Sequence, residues 1–152
     1  MDQDRSGAGV IWVLNGPNLD RLGTREPETY GRETLADLEN RCRGVAEELG
    51  ATLRFEQSNH EGVLIDWLHE ASDTGAIGVV LNPAGFSHTS VALRDAVAAI
   101  ATPVVEVHIS NIHAREPFRH VSLVSGAARG TIAGLGTDGY GLAMRYLVDA
   151  AA

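Results

Sequence analysis

The sequence predicts an α/β fold with one parallel sheet that is covered by helices on both faces. Short apolar runs, typical of strands buried on both faces, alternate five times with helical segments, and there is no internal repeat or linker. The 152 residues suit a single domain. We expect this domain at residues 10–152, after a disordered tail at 1–9. Five strands indicate a doubly wound sheet in the flavodoxin-like order 2-1-3-4-5.

Five short segments predict the strands. The first is the continuous apolar run Val-Ile-Trp-Val-Leu, which ends at the turn-forming sequence Asn-Gly-Pro-Asn. The third ends in the same way, at Asn-Pro-Ala-Gly. The second alternates between apolar and polar residues, as a strand with one exposed face does. The predicted strands span residues 10–14, 52–55, 76–81, 103–109 and 131–135.

Four segments with apolar residues three and four positions apart predict the helices. The first helix opens at Thr34 and ends before Gly50, and its apolar stripe places Cys42 in the core. The second helix follows the sequence Ser-Asn-His-Glu at 58–61, which predicts a capping box. The other two helices are expected between residues 91 and 100 and at 140–148.

The composition excludes several functional classes. A formal net charge of −8 argues against binding to nucleic acid or to an acidic membrane surface. All 12 basic residues are arginine. The chain therefore lacks the lysine of a Schiff base and that of a Walker-type phosphate loop. A single cysteine permits no internal disulfide, and the N-terminal residues are too polar for a signal peptide, so we expect a cytoplasmic protein.

Polar residues follow three of the predicted strands. Ligands of doubly wound sheets bind beyond the carboxyl ends of the strands. The first strand runs into residues 15–18, the third into 82–85 and the fourth into 108–111. Asparagine amides, a histidine and a hydroxyl would meet there, beside turns tight enough to present backbone N–H groups. The sequence therefore predicts a site for a small polar ligand that carries hydroxyls or a carboxylate.

Glu106 and His108 form the first candidate catalytic pair. They stand two residues apart in a predicted strand, so both side chains point to one face, about 6–7 Å apart along the strand. A carboxylate beside an imidazole can orient the ring and stabilise its charged form, as a general acid requires. The alternative is an incidental ion pair at a solvated strand end. The apolar residues around the pair favour the functional interpretation.

Tyr30 and Arg25 form the second candidate pair, in a loop that also contains Arg21 and Arg32. A free tyrosine has a pKa of about 10 and is almost wholly neutral at pH 7. A guanidinium in a cleft shielded from water could supply the roughly 3–4 kcal/mol that favours the phenolate at neutral pH. From these residues alone, an ordinary surface loop is the alternative.

Three other patterns favour structural interpretations. The spacings of His108, His113 and His120 match no common metal motif, so we expect no metal site. The GxGxxG match at 134–139 predicts a tight strand-to-helix turn, because too little chain follows it for a dinucleotide fold. Ser87 lies in a sequence that only weakly resembles a nucleophile elbow.

Four separated segments resemble, in order, the type II 3-dehydroquinate dehydratases. They read LNGPNLDRLGTREPETYG at 14–31, QSNHEG at 57–62, LNPAGFSHTSVALRDA at 81–96 and VEVHISNIHAREPFRH at 105–120. GLGTDGY at 134–140 is a weaker match, and the resemblance covers roughly residues 10–147. It implies a hydro-lyase that converts 3-dehydroquinate to 3-dehydroshikimate and water, stepwise through an enolate, without an imine, a metal or a cofactor. Shikimate-pathway biosynthesis and quinate breakdown both stay open.

The resemblance also implies catalytic roles. Tyr30 matches the base that removes a proton next to the C3 ketone. Arg25, on a mobile lid, and Arg115 match the arginines that favour the ionised form of this base. His108 matches the acid that protonates the departing C1 hydroxyl, and Glu106 matches its orienting partner.

Further positions match residues that bind the substrate. Asn18 matches an amide that holds a water against the developing enolate. The positions that match contacts to substrate hydroxyls are Asn82, His88 and Arg119, and those that match the carboxylate-binding turn are Ile109 and Ser110. Asp95 matches a residue that reaches the site of a neighbouring subunit, in homo-oligomers built as trimers packed into a dodecamer.

Two positions depart from the family pattern, and two other functions stay open. Gly85-Phe86 stands where Ala-Tyr or Gly-Leu is expected, and Asp138 replaces an expected glutamine. Asp138 would start the last helix, where an acid suits the helix dipole. A catalytically silent module could bind a hydroxy acid with the same residues. A hydrolase that uses Ser87 is the other alternative.

Overall fold

Five parallel strands form one sheet in the part of the chain that the structure, a computed structural model, describes: residues 7–24, 28 and 31–152. The strands are β1 (Gly9–Asn15), β2 (Ala51–Gln57), β3 (Gly78–Asn82), β4 (Val104–His108) and β5 (Gly130–Ala133). Their order across the sheet is β2-β1-β3-β4-β5, and each neighbouring pair is parallel. The predicted doubly wound fold and its strand order are confirmed.

Helices cover both faces of this sheet. Within the described residues they are α1 (Leu35–Leu49), α2 (Glu61–Asp73), α3 (Val91–Ala99) and α4 (Asp138–Ala151). One core lies between the sheet and the pair α1 and α4, and it contains Val13 and Met144. The other core lies beneath α2 and α3 and contains Leu14, Leu64 and Leu93. No helix that the structure describes is long and apolar enough to span a membrane.

The first helix begins and ends as its sequence predicts. The Thr34 hydroxyl accepts the backbone N–H of Asp37, and the Asp37 carboxylate accepts the backbone N–H of Thr34. Gly50 ends the helix in the left-handed conformation, with φ of 69°. Cys42 is 1% exposed in the core, where burial raises the pKa of its thiol to about 12. This thiol is therefore a neutral core side chain.

The predicted capping box at the start of α2 was wrong. The residue at the N-terminal boundary is His60, and it makes no side-chain capping bond. The Ser58 hydroxyl accepts the backbone N–H of His60, two residues on. The Glu61 carboxylate turns toward the neighbouring helix, where it accepts a hydrogen bond from Ser90, the N-cap of α3. Both partners of the expected box are thus used elsewhere.

The GLG sequence after β5 forms a tight turn against the end of β4, as predicted. Gly134 and Gly136 have φ values of +88° and +64°, which favour glycine. The Gly134 N–H donates to the carbonyl of His108 at 3.2 Å, and the Gly136 N–H donates to that of Ile109 at 3.0 Å. These N–H groups are therefore engaged by the protein, and the turn supports the strand end that carries His108.

Candidate active site

A pocket of about 150 Å³ opens beyond the carboxyl ends of β1, β3 and β4. Eight of the predicted site residues line it: Asn18, Asn82, His88, His108, Ile109, Ser110, Arg115 and Arg119. Among the described residues around this pocket, none is an aspartate or glutamate. A chain with a net charge of −8 therefore has a basic pocket, which suits an anionic ligand.

The other four predicted site residues lie elsewhere. Glu106 is buried beneath the pocket, in contact with His108. Asp95 is exposed on α3, where its carboxylate pairs with Arg94 at 3.1 Å, and it does not line this pocket. Tyr30 and Arg25 lie outside the described residues.

The Glu106–His108 pair has the geometry that the strand spacing predicts. Glu106 is the third residue of β4 and His108 is its last, and their exposed fractions are 0% and 5%. The imidazole Nε2 donates to the Glu106 Oε2. Because Nε2 is engaged, Nδ1 is the ring nitrogen that remains for a proton transfer to a ligand in the pocket.

Two serines that the sequence analysis did not single out also donate hydrogen bonds to Glu106. The Ser122 hydroxyl donates to Oε2 at 2.7 Å, and the Ser125 hydroxyl donates to Oε1 at 2.5 Å. Burial alone would raise the pKa of Glu106, but the hydrogen bonds from His108, Ser122 and Ser125 outweigh it and hold the pKa below its usual value. A buried acid in a strand requires such donors, which is the signal that could have pointed to these hydroxyls.

The QSN segment after β2 holds the loop that carries Asn18. Asn59 Oδ1 accepts the backbone N–H of Asn18 at 2.9 Å. Gln57 Nε2 donates to the same oxygen at 3.1 Å and to the carbonyl of Gly16 at 3.1 Å. Asn18 itself is in the left-handed region, with φ of 71°, where asparagine is one of the few tolerated side chains. The QSN segment therefore holds the loop that places Asn18 at the pocket.

The polar stretch after β4 places two arginines beside the pocket. It contains two short 3-10 helices, Ile112–Ala114 and Pro117–Arg119. Arg115 Nη1 donates to the Ser110 hydroxyl oxygen at 3.3 Å, and Arg119 Nε donates to Glu116 at 2.8 Å. Because Ser110 accepts from Arg115, its own hydroxyl proton can be given to a ligand oxygen.

Two other interpretations, a histidine metal site and a hydrolase that uses Ser87, can be compared with the geometry of the described residues. Within the described ranges, no group of three or more His, Cys, Asp or Glu side chains is arranged to hold a metal ion. The rings of His113 and His120 are tilted by 47° to each other, with their centroids 6.3 Å apart. Ser87 is 0% exposed, and its hydroxyl has no hydrogen-bond partner among the described residues. It therefore lacks the adjacent base that a nucleophilic serine requires.

Comparison with known proteins identifies the family. The family model for class II dehydroquinases matches residues 9–148. The chain belongs to this family. It is 60% identical over 140 residues to 3-dehydroquinate dehydratase 1 of Agrobacterium fabrum, which covers 92% of this chain and 96% of the relative. It is 60% identical over 137 residues to the 3-dehydroquinate dehydratase of Salinispora arenicola, which covers 90% and 95%.

Crystal structures of class II dehydroquinases share the fold. The type II dehydroquinase from Propionibacterium acnes superposes with a TM-score of 0.89 at 48% identity and covers 92% of this chain and 96% of its own. The type II dehydroquinase from Butyrivibrio crossotus has the same TM-score at 42% identity, with coverage of 91% and 96%. The predicted family, and with it the predicted hydro-lyase class, is confirmed.

Proposed function

We propose that this protein converts 3-dehydroquinate to 3-dehydroshikimate and water, stepwise through an enolate. The observation that carries the proposal is the Glu106–His108 pair at the edge of a basic pocket without acidic lining residues, in a chain of the class II dehydroquinase family. The pair supports proton transfer, and the basic lining suits a substrate with a carboxylate.

The acid step belongs to His108. Its Nε2 is engaged by Glu106, so Nδ1 gives its proton to the C1 hydroxyl as the carbon–oxygen bond breaks and water leaves. Glu106 keeps the ring oriented and stabilises the positive charge that the ring carries before the transfer. The chain's own residues thus supply this proton, and the reaction needs no cofactor.

The base step belongs to Tyr30, by the family resemblance of its motif. The phenolate takes a proton from the carbon next to the C3 ketone, and the electron pair moves onto the ketone oxygen to form the enolate. Arg25 and Arg115 favour the phenolate over the neutral phenol, because each keeps its positive charge throughout the working pH range. Asn18, at the rim of the pocket, holds a water against the enolate oxygen.

The remaining pocket residues bind the substrate. The turn at Ile109 and Ser110 takes the carboxylate, and the hydroxyl proton that Ser110 has available supports this role. Asn82, His88 and Arg119 contact the substrate hydroxyls. In the homo-oligomer that the resemblance implies, a trimer packed into a dodecamer, Asp95 of one subunit reaches the site of its neighbour.

Mixing the protein with 3-dehydroquinate and following the absorbance of the enone product tests the proposal. The wild-type chain should turn over, and His108→Ala should lower kcat by roughly 10²–10⁴-fold with the fold intact. His69→Ala, a change at an exposed histidine on α2, is the matched control and should leave kcat unchanged. Binding of the substrate without a rise in absorbance would instead indicate the catalytically silent binding module.

A further inference from the structure

Tyr140 connects the core to the pocket through its hydroxyl. The residue lies in the first turn of α4, and its side chain is 0% exposed. The hydroxyl donates to Asn15 Oδ1 at 2.7 Å and accepts from Asn82 Nδ2 at 2.8 Å. Asn15 and Asn82 are the last residues of the neighbouring strands β1 and β3, and Asn82 lines the pocket. One buried hydroxyl therefore joins two side chains at the carboxyl edge of the sheet.

The backbone sets the direction of these hydrogen bonds at the Asn15 end. Asn15 Nδ2 donates to the carbonyl oxygen of Glu56 at 3.0 Å. Since a carbonyl can only accept, the amide nitrogen of Asn15 must face Glu56, and Oδ1 must face Tyr140. An oxygen acceptor at this position takes the single hydroxyl proton of Tyr140. The tyrosine oxygen can then only accept from Asn82.

The backbone sets the same direction at the Asn82 end. The N–H of Ala84 donates to Asn82 Oδ1 at 3.1 Å, so this oxygen is turned toward the backbone of its own loop. The amide nitrogen consequently faces Tyr140, and one of its two protons is used there. Both ends of the chain of hydrogen bonds require one orientation of the Asn82 amide, and the second proton on Nδ2 remains for a ligand.

We propose that Tyr140, together with Asn15, is a positioning residue that fixes the Asn82 amide so that an N–H donor acts on the substrate. The inference rests on the proposed function, in which Asn82 contacts a substrate hydroxyl. It adds a specificity rule: the substrate oxygen at this position accepts a hydrogen bond from Asn82. Burial also raises the pKa of Tyr140, so its hydroxyl keeps the proton on which this direction depends.

A double-mutant cycle between Tyr140→Phe and Asn82→Ala tests the inference. Tyr140→Phe keeps the ring and removes only the hydroxyl, which leaves the Ala84 N–H as the one remaining described contact that orients the Asn82 amide. In the wild-type background we expect KM for 3-dehydroquinate to rise about 3- to 10-fold, the size of one neutral hydrogen bond. In the Asn82→Ala background the same change should alter KM less than about twofold, because the residue through which Tyr140 acts is gone.

Tyr146→Phe is the matched control for this cycle. Tyr146 lies on the same helix, is 43% exposed, and its hydroxyl accepts from Arg129 at 3.1 Å, away from the pocket. It should leave KM and kcat unchanged in both backgrounds. An equal rise in KM from Tyr140→Phe with and without Asn82 would overturn the inference, since the hydroxyl would then act through general packing.

A measurement on the wild-type chain keeps the inference testable if Tyr140→Phe does not fold. The side-chain amide signals of Asn82, assigned in NMR spectra by their loss in Asn82→Ala, should include one proton that exchanges slowly with water before any ligand is added. Two rapidly exchanging protons would contradict the network. Because this measurement needs no turnover, it also separates the two proposals: a wild-type chain without activity would contradict the proposed function alone.

Discussion

Glu106 is a carboxylate without exposed surface, held by side-chain hydrogen bonds from His108, Ser122 and Ser125 and by a longer one, at 3.4 Å, from Thr131. Removing a charge from water is unfavourable, and a buried acid persists in its charged form only where donors offset that loss. Ser122 and Ser125 are two such donors. His108 lines the pocket, whereas neither serine does. Their effect on the reaction is therefore exerted through Glu106.

Ser125→Ala should weaken the acid step. The carboxylate loses one donor, so it holds the proton of His108 more tightly and makes the imidazolium a poorer acid. We expect kcat to fall by roughly 10- to 100-fold, the order of magnitude of one hydrogen bond to a charged group. The basic limb of the kcat profile should move to higher pH, because the pair releases its proton later. Ser125→Thr retains the hydroxyl and should restore most of the rate; an unchanged pH profile in Ser125→Ala would limit Ser125 to a structural role.

The same serine should affect stability in acid. The pKa of Glu106 is lower in the folded chain, so its contribution to stability is present above the unfolded pKa and is lost as the pH falls through the folded pKa. Ser125→Ala brings the two pKa values closer together, which reduces that contribution at neutral pH. Urea unfolding at pH 7 and at pH 3 checks this: the variant should lose less stability than the wild type between the two pH values.

Arg25→Ala should shift the ionisation of Tyr30. Loss of the fixed positive charge raises the pKa of the phenol, so the acidic limb of the kcat/KM profile should move to higher pH and kcat should fall. Arg25→Lys should restore the rate only in part, since a lysine lacks the planar fork of the guanidinium. If Arg25→Ala changed neither kcat nor the profile, another group would have to ionise Tyr30.

At the scale of elements, the two loops that carry Asn18 and Asn82 touch at Gly16. The Gly16 N–H donates to the carbonyl of Asn82 at 2.8 Å. A Cβ at this position would lie 2.6 Å from the carbonyl oxygen of Pro83 and 3.2 Å from that of Asn82. Only glycine allows this approach, which sets the distance between two sides of the pocket.

Gly16→Ala should therefore change both stability and substrate binding. The backbone of the β3 loop cannot rotate away as a side chain would, so the loops must separate. We expect a loss of about 1–3 kcal/mol in the free energy of unfolding and a raised KM. Gly44→Ala is the control: its Cβ would meet nothing within 4 Å in the interior of α1, and it should stabilise the chain by about 0.5–1 kcal/mol. Equal KM values in the two variants would contradict the proposed contact.

The strands, the helices and the meeting of Asn18, Asn82 and His108 at one edge could be predicted from the sequence. They follow from local periodicity and from the rule that parallel strands end on the same side. The burial of Glu106 indicates that it needs donors, but the sequence does not say which hydroxyls supply them. The partners of Ser122 and Tyr140 lie 16 and 58 residues away in the chain. The failed capping box at α2 has the same cause, since the partner of Glu61 is Ser90, 29 residues away.

At the scale of the whole molecule, the exposed Asp95 raises the question of what completes the site. Its carboxylate lies on α3, paired with Arg94, and the pocket of the same chain has no acidic lining residue among those described. In a cyclic trimer, an equivalent surface of every subunit meets the next subunit, so a residue outside its own pocket can enter that of a neighbour. We expect sedimentation to give a mass above that of the 16.1 kDa chain.

Mixed oligomers test whether Asp95 acts across the subunit boundary. Asp95→Ala should lower activity roughly 10-fold or more, as expected for the loss of a charge-assisted hydrogen bond, and Asp66→Ala at an exposed position of α2 should not. We would mix equal amounts of the Asp95→Ala chain and the His108→Ala chain, unfold them together and refold them. The oligomers that form then contain both kinds of subunit, so a site can combine residues from two different variants. Each subunit of a closed ring is one of the two variants with equal chance. About one quarter of the sites therefore combine an intact His108 with an intact Asp95 from the neighbouring subunit. Activity should therefore recover to about a quarter of the wild-type value, whereas separately refolded chains stay near their own low values. A mixture that shows only the average of its two parents would place Asp95 outside the neighbouring site, and each pocket would then have to be complete within one chain.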